Sequence, residues 1–112
     1  MQIVNQKISR DELLKISDHY FGDMTKGVVD VEREIVAIDA ELHADLETFL
    51  LENGSKQERL WGINLYPDET GDDFIEFDSL INIRPRQNNR GRGVNDPAIR
   101  EKIREIIGRW FE

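Results

Sequence analysis

The sequence predicts an α+β domain: an antiparallel β-sheet of four to five strands, with an N-terminal and a C-terminal helix packed on one face. Three observations predict it. Ser9-Arg10-Asp11-Glu12 is a capping box that opens an amphipathic run, and Asp96-Pro97 opens another near the end. Between them lie runs rich in β-branched residues or alternating apolar with polar side chains. A chain of 112 residues without cysteine fits one domain, 1–112, with a core large enough to need no disulfides.

Taken in order, Ile3, Val4 and Ile8 suggest a short opening strand. Leu13, Ile16 and Tyr20 recur at helical spacing until Gly22, which predicts a helix over 10–21. Residues 27–52 read two ways. Val28, Val31, Ile35 and Ile38 fit a helical stripe, as do Leu42, Leu46, Phe49 and Leu50 ahead of Gly54. The β-branched content instead favours two strands, 27–38 and 41–51, turning at Asp39-Ala40, although that pair is not a preferred hairpin turn. Trp61–Tyr66 alternates and stops at Pro67, giving a strand over 60–66. Phe74–Arg84 gives another, with Ile75, Phe77, Ser79, Ile81 and Ile83 on one face, ended by Pro85. The expected body is thus a four-strand meander (27–38, 41–51, 60–66, 74–84). Helix 97–110 follows, capped by Asp96 and striped by Ile99, Ile103, Ile106 and Trp110.

The net charge of −8 argues against a protein that coats nucleic acid. The charge is unevenly placed: residues 1–83 carry a net −12 and residues 84–112 a net +4. Such asymmetry marks either an interaction surface or an acidic body that attracts its own basic tail. The opening MQIVNQKIS has no secretion-signal pattern and no segment reaches the length of a membrane span, so the expectation is a cytoplasmic protein with no membrane partner.

VVDVEREIVAI, ELHAD, LLENGS, LWGINLYP, EFDSLINIRP and the Asn-rich loop before DPAIREKI resemble a small archaeal and bacterial family, a domain of unknown function. The resemblance runs from about Val28 to Ile107, with SLINIRP its most distinctive piece. Relatives often carry two glycines where this chain has Asp39-Ala40, which favours the hairpin reading of 28–51. The resemblance implies no activity, ligand or catalytic residue.

Three stretches could carry chemistry. His43, Asp45 and Glu47 would share one face of a strand, and imidazole with carboxylates suits zinc, manganese or iron. On a helix, Asp45 would turn away from His43. The bland alternative is a solvated face. The second stretch is the polar side of 74–84: Glu76, Asp78, Asn82 and Arg84, beside Asn64 and Tyr66. It could perform acid–base work or simply form a lattice of cross-strand pairs. The third is Arg84, Arg86, Asn88, Asn89, Arg90 and Arg92, where guanidinium forks suit carboxylate or phosphate and the following helix adds its positive end. A mobile loop pairing with the acidic body is the bland alternative there.

The chain has no P-loop, nucleophile elbow, His-Glu-x-x-His or dinucleotide fingerprint, and the loop lacks the aromatics that stack single-stranded RNA. The expectation is a non-enzymatic binding module that uses the 84–95 loop, with Asn82 and Asn64, to take an anionic small molecule or acidic protein partner. RNA is not favoured, and a homodimer through a sheet edge fits as well. No cofactor is expected. The alternative is a small hydrolase using a divalent metal at His43 and Asp45, with Asp78.

Overall fold

The computed structural model describes residues 1–111. In chain order the elements are β1 (Gln2–Val4), α1 (Arg10–Asp18), β2 (Thr25–Asp30), β3 (Ile35–Ile38), α2 (His43–Glu52), β4 (Leu60–Leu65), β5 (Ile75–Glu76) and α3 (Pro97–Trp110). The five strands form one antiparallel sheet in the order β1-β3-β2-β4-β5. The α+β class and the two terminal helices on one face are as the sequence predicts. Two elements of the predicted meander are not.

The first correction concerns 27–52. The hairpin turn lies at Val31–Glu34, not at Asp39-Ala40, and 43–52 is helix. Asp30 builds the turn. One oxygen of its buried carboxylate accepts from the amides of Glu32 and Arg33, both at 2.9 Å, and the other accepts from Ser55 Oγ at 2.6 Å. Glu34 then takes the left-handed region at φ 59° and returns its amide to the Asp30 carbonyl. Asp39, at φ 77°, is also left-handed as it turns β3 towards α2. A glycine pair there therefore fits a strand-to-helix turn as well as a hairpin.

The second correction concerns 74–84, which pairs as a strand only over Ile75–Glu76. Residues Leu80–Asn82 form a 3₁₀ turn that folds back over β4, leaving Ile81 partly buried and Ile83 exposed. Gly62 permits this close approach. A Cβ on Gly62 would lie 2.5 Å from Ser79 Cβ and 2.6 Å from its Oγ. Asn82 supplies what a continued strand would have: its Oδ1 accepts from Gly62 N at 2.8 Å and its Nδ2 donates to Gly62 O at 3.0 Å. One side chain thus substitutes for a pair of ladder bonds.

Alternation along the strands divides the core in two. Val4, Val29, Val36, Ile38, Trp61, Ile63 and Leu65 face α1 and α3, meeting Leu13, Ile103, Ile106 and Ile107. Val28, Ile35, Ala37 and Leu60 face the other way, where Leu46 and Leu50 of α2 cover them. Glu34 ties the hairpin to α3 through Lys102 at 3.2 Å and through Arg109, while Trp110 Nε1 donates to its carbonyl at 2.9 Å. The guanidinium of Arg109 is the main reason the Glu34 carboxyl is held below its usual range, with Lys102 adding to it. The basic tail and acidic body do attract each other here.

Candidate functional site

The Asn- and Arg-rich loop is for the most part a built knot. Asn82 is fully buried, and besides clamping Gly62 it donates to the Arg92 carbonyl at 2.9 Å. Asn89 is also buried; its Nδ2 reaches the carbonyls of Asn82 and Gly93 at 2.7 and 2.8 Å, and its Oδ1 accepts from Asn95 N. Asn88 occupies the left-handed region at φ 59° and closes the preceding turn. Arg84 lies over the Trp61 ring, 4.6 Å from its centroid, and donates to the carbonyls of Ile81 and Gln57 at 3.0 and 2.8 Å and to Leu60 O. Burial pulls the Arg84 guanidinium down, and Glu47 and Glu58 oppose that. Arg92 pairs with Asp78 at 2.6 Å. Arg86 and Arg90 are exposed and have no side-chain partner among the described residues. The predicted binding residues therefore divide: Asn82, Asn89 and Arg84 are engaged inside the fold, and the rest face solvent or a neighbouring pocket.

That pocket, of about 360 Å³, lies on the α2 side of the sheet. α2 covers β2 and β3, the 79–82 turn covers β4, and the pocket is the gap between them. Its floor follows from sheet register. Lys26 on β2 stands opposite Asn64 on β4, and Asn64 stands opposite Glu76 on β5, so the three side chains form one row on one face. Asn64 is 5% exposed; its Nδ2 donates to Glu76 Oε1 at 2.8 Å and to the Asp78 carbonyl at 3.3 Å. Tyr66 also donates to Glu76 Oε1, at 3.1 Å. Burial, and then the neighbouring Glu76 carboxylate, push the Tyr66 phenol up.

The walls come from the start of α2 and from 78–81. Leu42 occupies the N-cap, where a serine or aspartate would normally accept from the first-turn amides, and it offers no side-chain bond. Leu42, His43 and Ala44 all line the pocket, with Leu80 and Ile81 opposite. His43 points inward and its Nε2 donates to the Ile63 carbonyl at 2.8 Å, which leaves Nδ1 as the acceptor of a neutral ring. Burial is the main cause that lowers the His43 pKa from its ordinary 6.5; the Ile63 carbonyl, the Asn64 amide and Asp78 oppose it, and Lys26 adds to it. The Asn64 Oδ1 is buried beside this ring.

Helix geometry parts the residues of the metal reading: His43 turns into the pocket while Asp45, two positions on, is exposed. Among the described residues no group of three or more His, Cys, Asp and Glu side chains is placed to hold a metal ion. Sequence reasoning identified Asn64, Glu76, Asp78, Arg92 and His43 but missed Lys26 and the uncapped helix start. Leu42 is not a capping residue type, so the start of α2 carries no local mark.

Fold and site together define a small α+β protein with a solvent-facing polar pocket on an otherwise covered sheet. The chain belongs to the family DUF5674, a protein family of unknown function, which matches residues 2–110. Neither a curated protein nor a solved structure matches the chain significantly. Among the described residues no helix is long and apolar enough to cross a membrane.

Proposed function

We propose that the protein is a non-enzymatic binding module that takes a small anionic ligand in the pocket at the start of α2. One observation carries the reading. α2 opens into the pocket without a side-chain cap, and the same pocket holds Lys26, whose ammonium lies over the Phe21 ring, 5.0 Å from its centroid, with no carboxylate partner among the described residues. Asp45 N and Leu46 N donate to the Leu42 carbonyl, and the remaining first-turn amides, of His43 and Ala44, with a nearby cation favour a carboxylate or phosphate oxygen over water alone. The Arg- and Asn-rich loop contributes Arg92 and the pocket wall that its knot holds in place. Arg86 and Arg90 remain outside the lining.

The test is an NMR titration of untagged protein with acetate and inorganic phosphate. Binding should move the amide resonances of His43 and Ala44, and Lys26→Ala should weaken it. Unmoved resonances with both anions at high millimolar concentration would overturn the reading. Movement centred on Arg86 and Arg90 instead would return the site to the exposed loop.

A further inference from the structure

The pocket is not uniformly positive, and its asymmetry deepens the proposed anion-binding reading, on which this inference rests. The row across the floor runs cation, amide, carboxylate: Lys26, Asn64, Glu76. Neighbouring strands lie about 4.8 Å apart, so the two charged ends are separated by roughly 10 Å of sheet. They do not pair with each other. Glu76 spends one oxygen on Asn64 and Tyr66 and leaves the other without a donor among the described residues. Asp78 is satisfied by Arg92, at 2.6 and 3.3 Å. Between the ends, the Asn64 amide is buried and tied through its Nδ2 to Glu76, so the row is fixed in place.

The formal charges of Lys26, Arg92, Glu76 and Asp78 cancel, so a ligand with net negative charge would meet two carboxylates in the same space. A ligand that is anionic at one end and a cationic donor at the other meets opposite charge at both. Met24, Leu42, Leu80 and Ile81 add an apolar wall, and Leu42 and Leu80 are 52% and 66% exposed. A cavity of about 360 Å³ lies at the small end for ligand pockets.

We infer that the ligand is a zwitterionic α-amino acid with an apolar side chain. Its carboxylate faces Lys26 and the His43 and Ala44 end of α2, its ammonium faces the open oxygen of Glu76, and its side chain packs on Leu42, Leu80 and Ile81.

Calorimetric titration of the untagged chain with three probes tests this: L-leucine, 4-methylpentanoate, which lacks the ammonium, and isopentylamine, which lacks the carboxylate. Leucine should bind at least about tenfold more tightly than either, a difference of about 1.4 kcal/mol. Glu76→Gln should remove that advantage by weakening leucine, while 4-methylpentanoate, relieved of a like charge, binds no more weakly than before. That variant keeps an oxygen for Asn64 and Tyr66 to donate to, so the sheet edge survives. Lys26→Met should weaken both carboxylates. Equal binding of leucine and 4-methylpentanoate, unchanged in Glu76→Gln, would overturn the amino-acid inference and leave anion binding standing. Binding of isopentylamine alone, or of none of the three with acetate and phosphate also silent, would overturn both.

Discussion

The two faces of the sheet are finished in different ways. On one, α1 and α3 lay Leu13, Ile103, Ile106 and Ile107 on Val29, Val36, Ile38, Ile63 and Leu65, and nearly everything between the layers is hydrocarbon. On the other, α2 seals only the β2–β3 half with Leu46 and Leu50. The β4 half is closed by a short turn whose anchor is an amide, Asn82, and whose fit depends on a missing side chain, Gly62. Apolar packing tolerates small shifts because dispersion has no direction. The polar face depends on named bonds at fixed distances, so it can hold a pocket with three polar side chains in a row. The first face stabilises the fold, and the second positions chemistry.

The comparison breaks most readily on the apolar side. Ile103→Ala removes a fully buried side chain from the α3 seam and should destabilise by about 2–5 kcal/mol in denaturant unfolding. A loss below about 0.5 kcal/mol, typical of surface sites, would mean the α3 face is not the stabilising one. Asn82→Ala probes the other face. It would strand the buried amide and carbonyl of Gly62, at about 1–3 kcal/mol per orphaned group. Its companion Gly62→Ala forces a Cβ against Ser79, and overpacking of that kind costs about 1–3 kcal/mol. The two variants should also lose amide protection across 79–82 while α3 keeps its own. Uniform loss of protection would show that the faces unfold as one.

His43 sharpens the comparison by pH. Burial lowers its pKa in the folded protein, so below about pH 6.5 the unfolded chain binds a proton that the folded one resists. Stability associated with the neutral ring is fully present above that value and is lost as pH falls through it towards the lower folded pKa. His43→Gln keeps a donor for the Ile63 carbonyl and should flatten that part of the profile. Equal acid sensitivity in both proteins would mean the ring titrates freely.

The sequence showed one face far better than the other. Leu13, Ile103 and Trp110 recur at helical spacing next to recognisable caps, Ser9 and Asp96, whose side chains do accept from Glu12 N and Ala98 N. Local periodicity plus a local cap is enough to find such helices. α2 has the periodicity without the cap, since Leu42 stands where a capping residue would, and its β-branched surroundings favoured strand. The hairpin turn hid inside VEREIV because the residue that makes it, Asp30, precedes the turn and acts through its carboxylate. The end of β5 was invisible for a different reason. Alternation continues through Ser79, Ile81 and Ile83, but the chain leaves the sheet because Asn82 and Gly62 offer a better contact twenty positions apart. Such pairing is set by tertiary structure, and spacing along the chain does not encode it. The pocket residues Asn64 and Glu76 were legible because β4 and the two-residue β5 are true strands, and Asp78 follows just beyond them. Lys26 was not, because its partner row exists only once β2 is paired with β4.

The smallest expected effect concerns the four arginines that looked alike in sequence. Arg84 is held by the Ile81, Gln57 and Leu60 carbonyls and lies over Trp61, so Arg84→Ala removes packing as well as charge. Arg92 is fixed to Asp78 at the pocket wall. Arg86 and Arg90 point into solvent with no partner among the described residues, and exposed changes of this kind shift stability by less than about 0.5 kcal/mol. The double variant Arg86→Ala with Arg90→Ala should therefore unfold at the midpoint of the native protein and bind leucine with unchanged affinity. Loss of leucine binding in that variant would place the exposed loop in the site and reverse the division of labour argued here. Loss of binding to an acidic protein partner, with leucine unaffected, would give the loop a separate role beside an intact pocket.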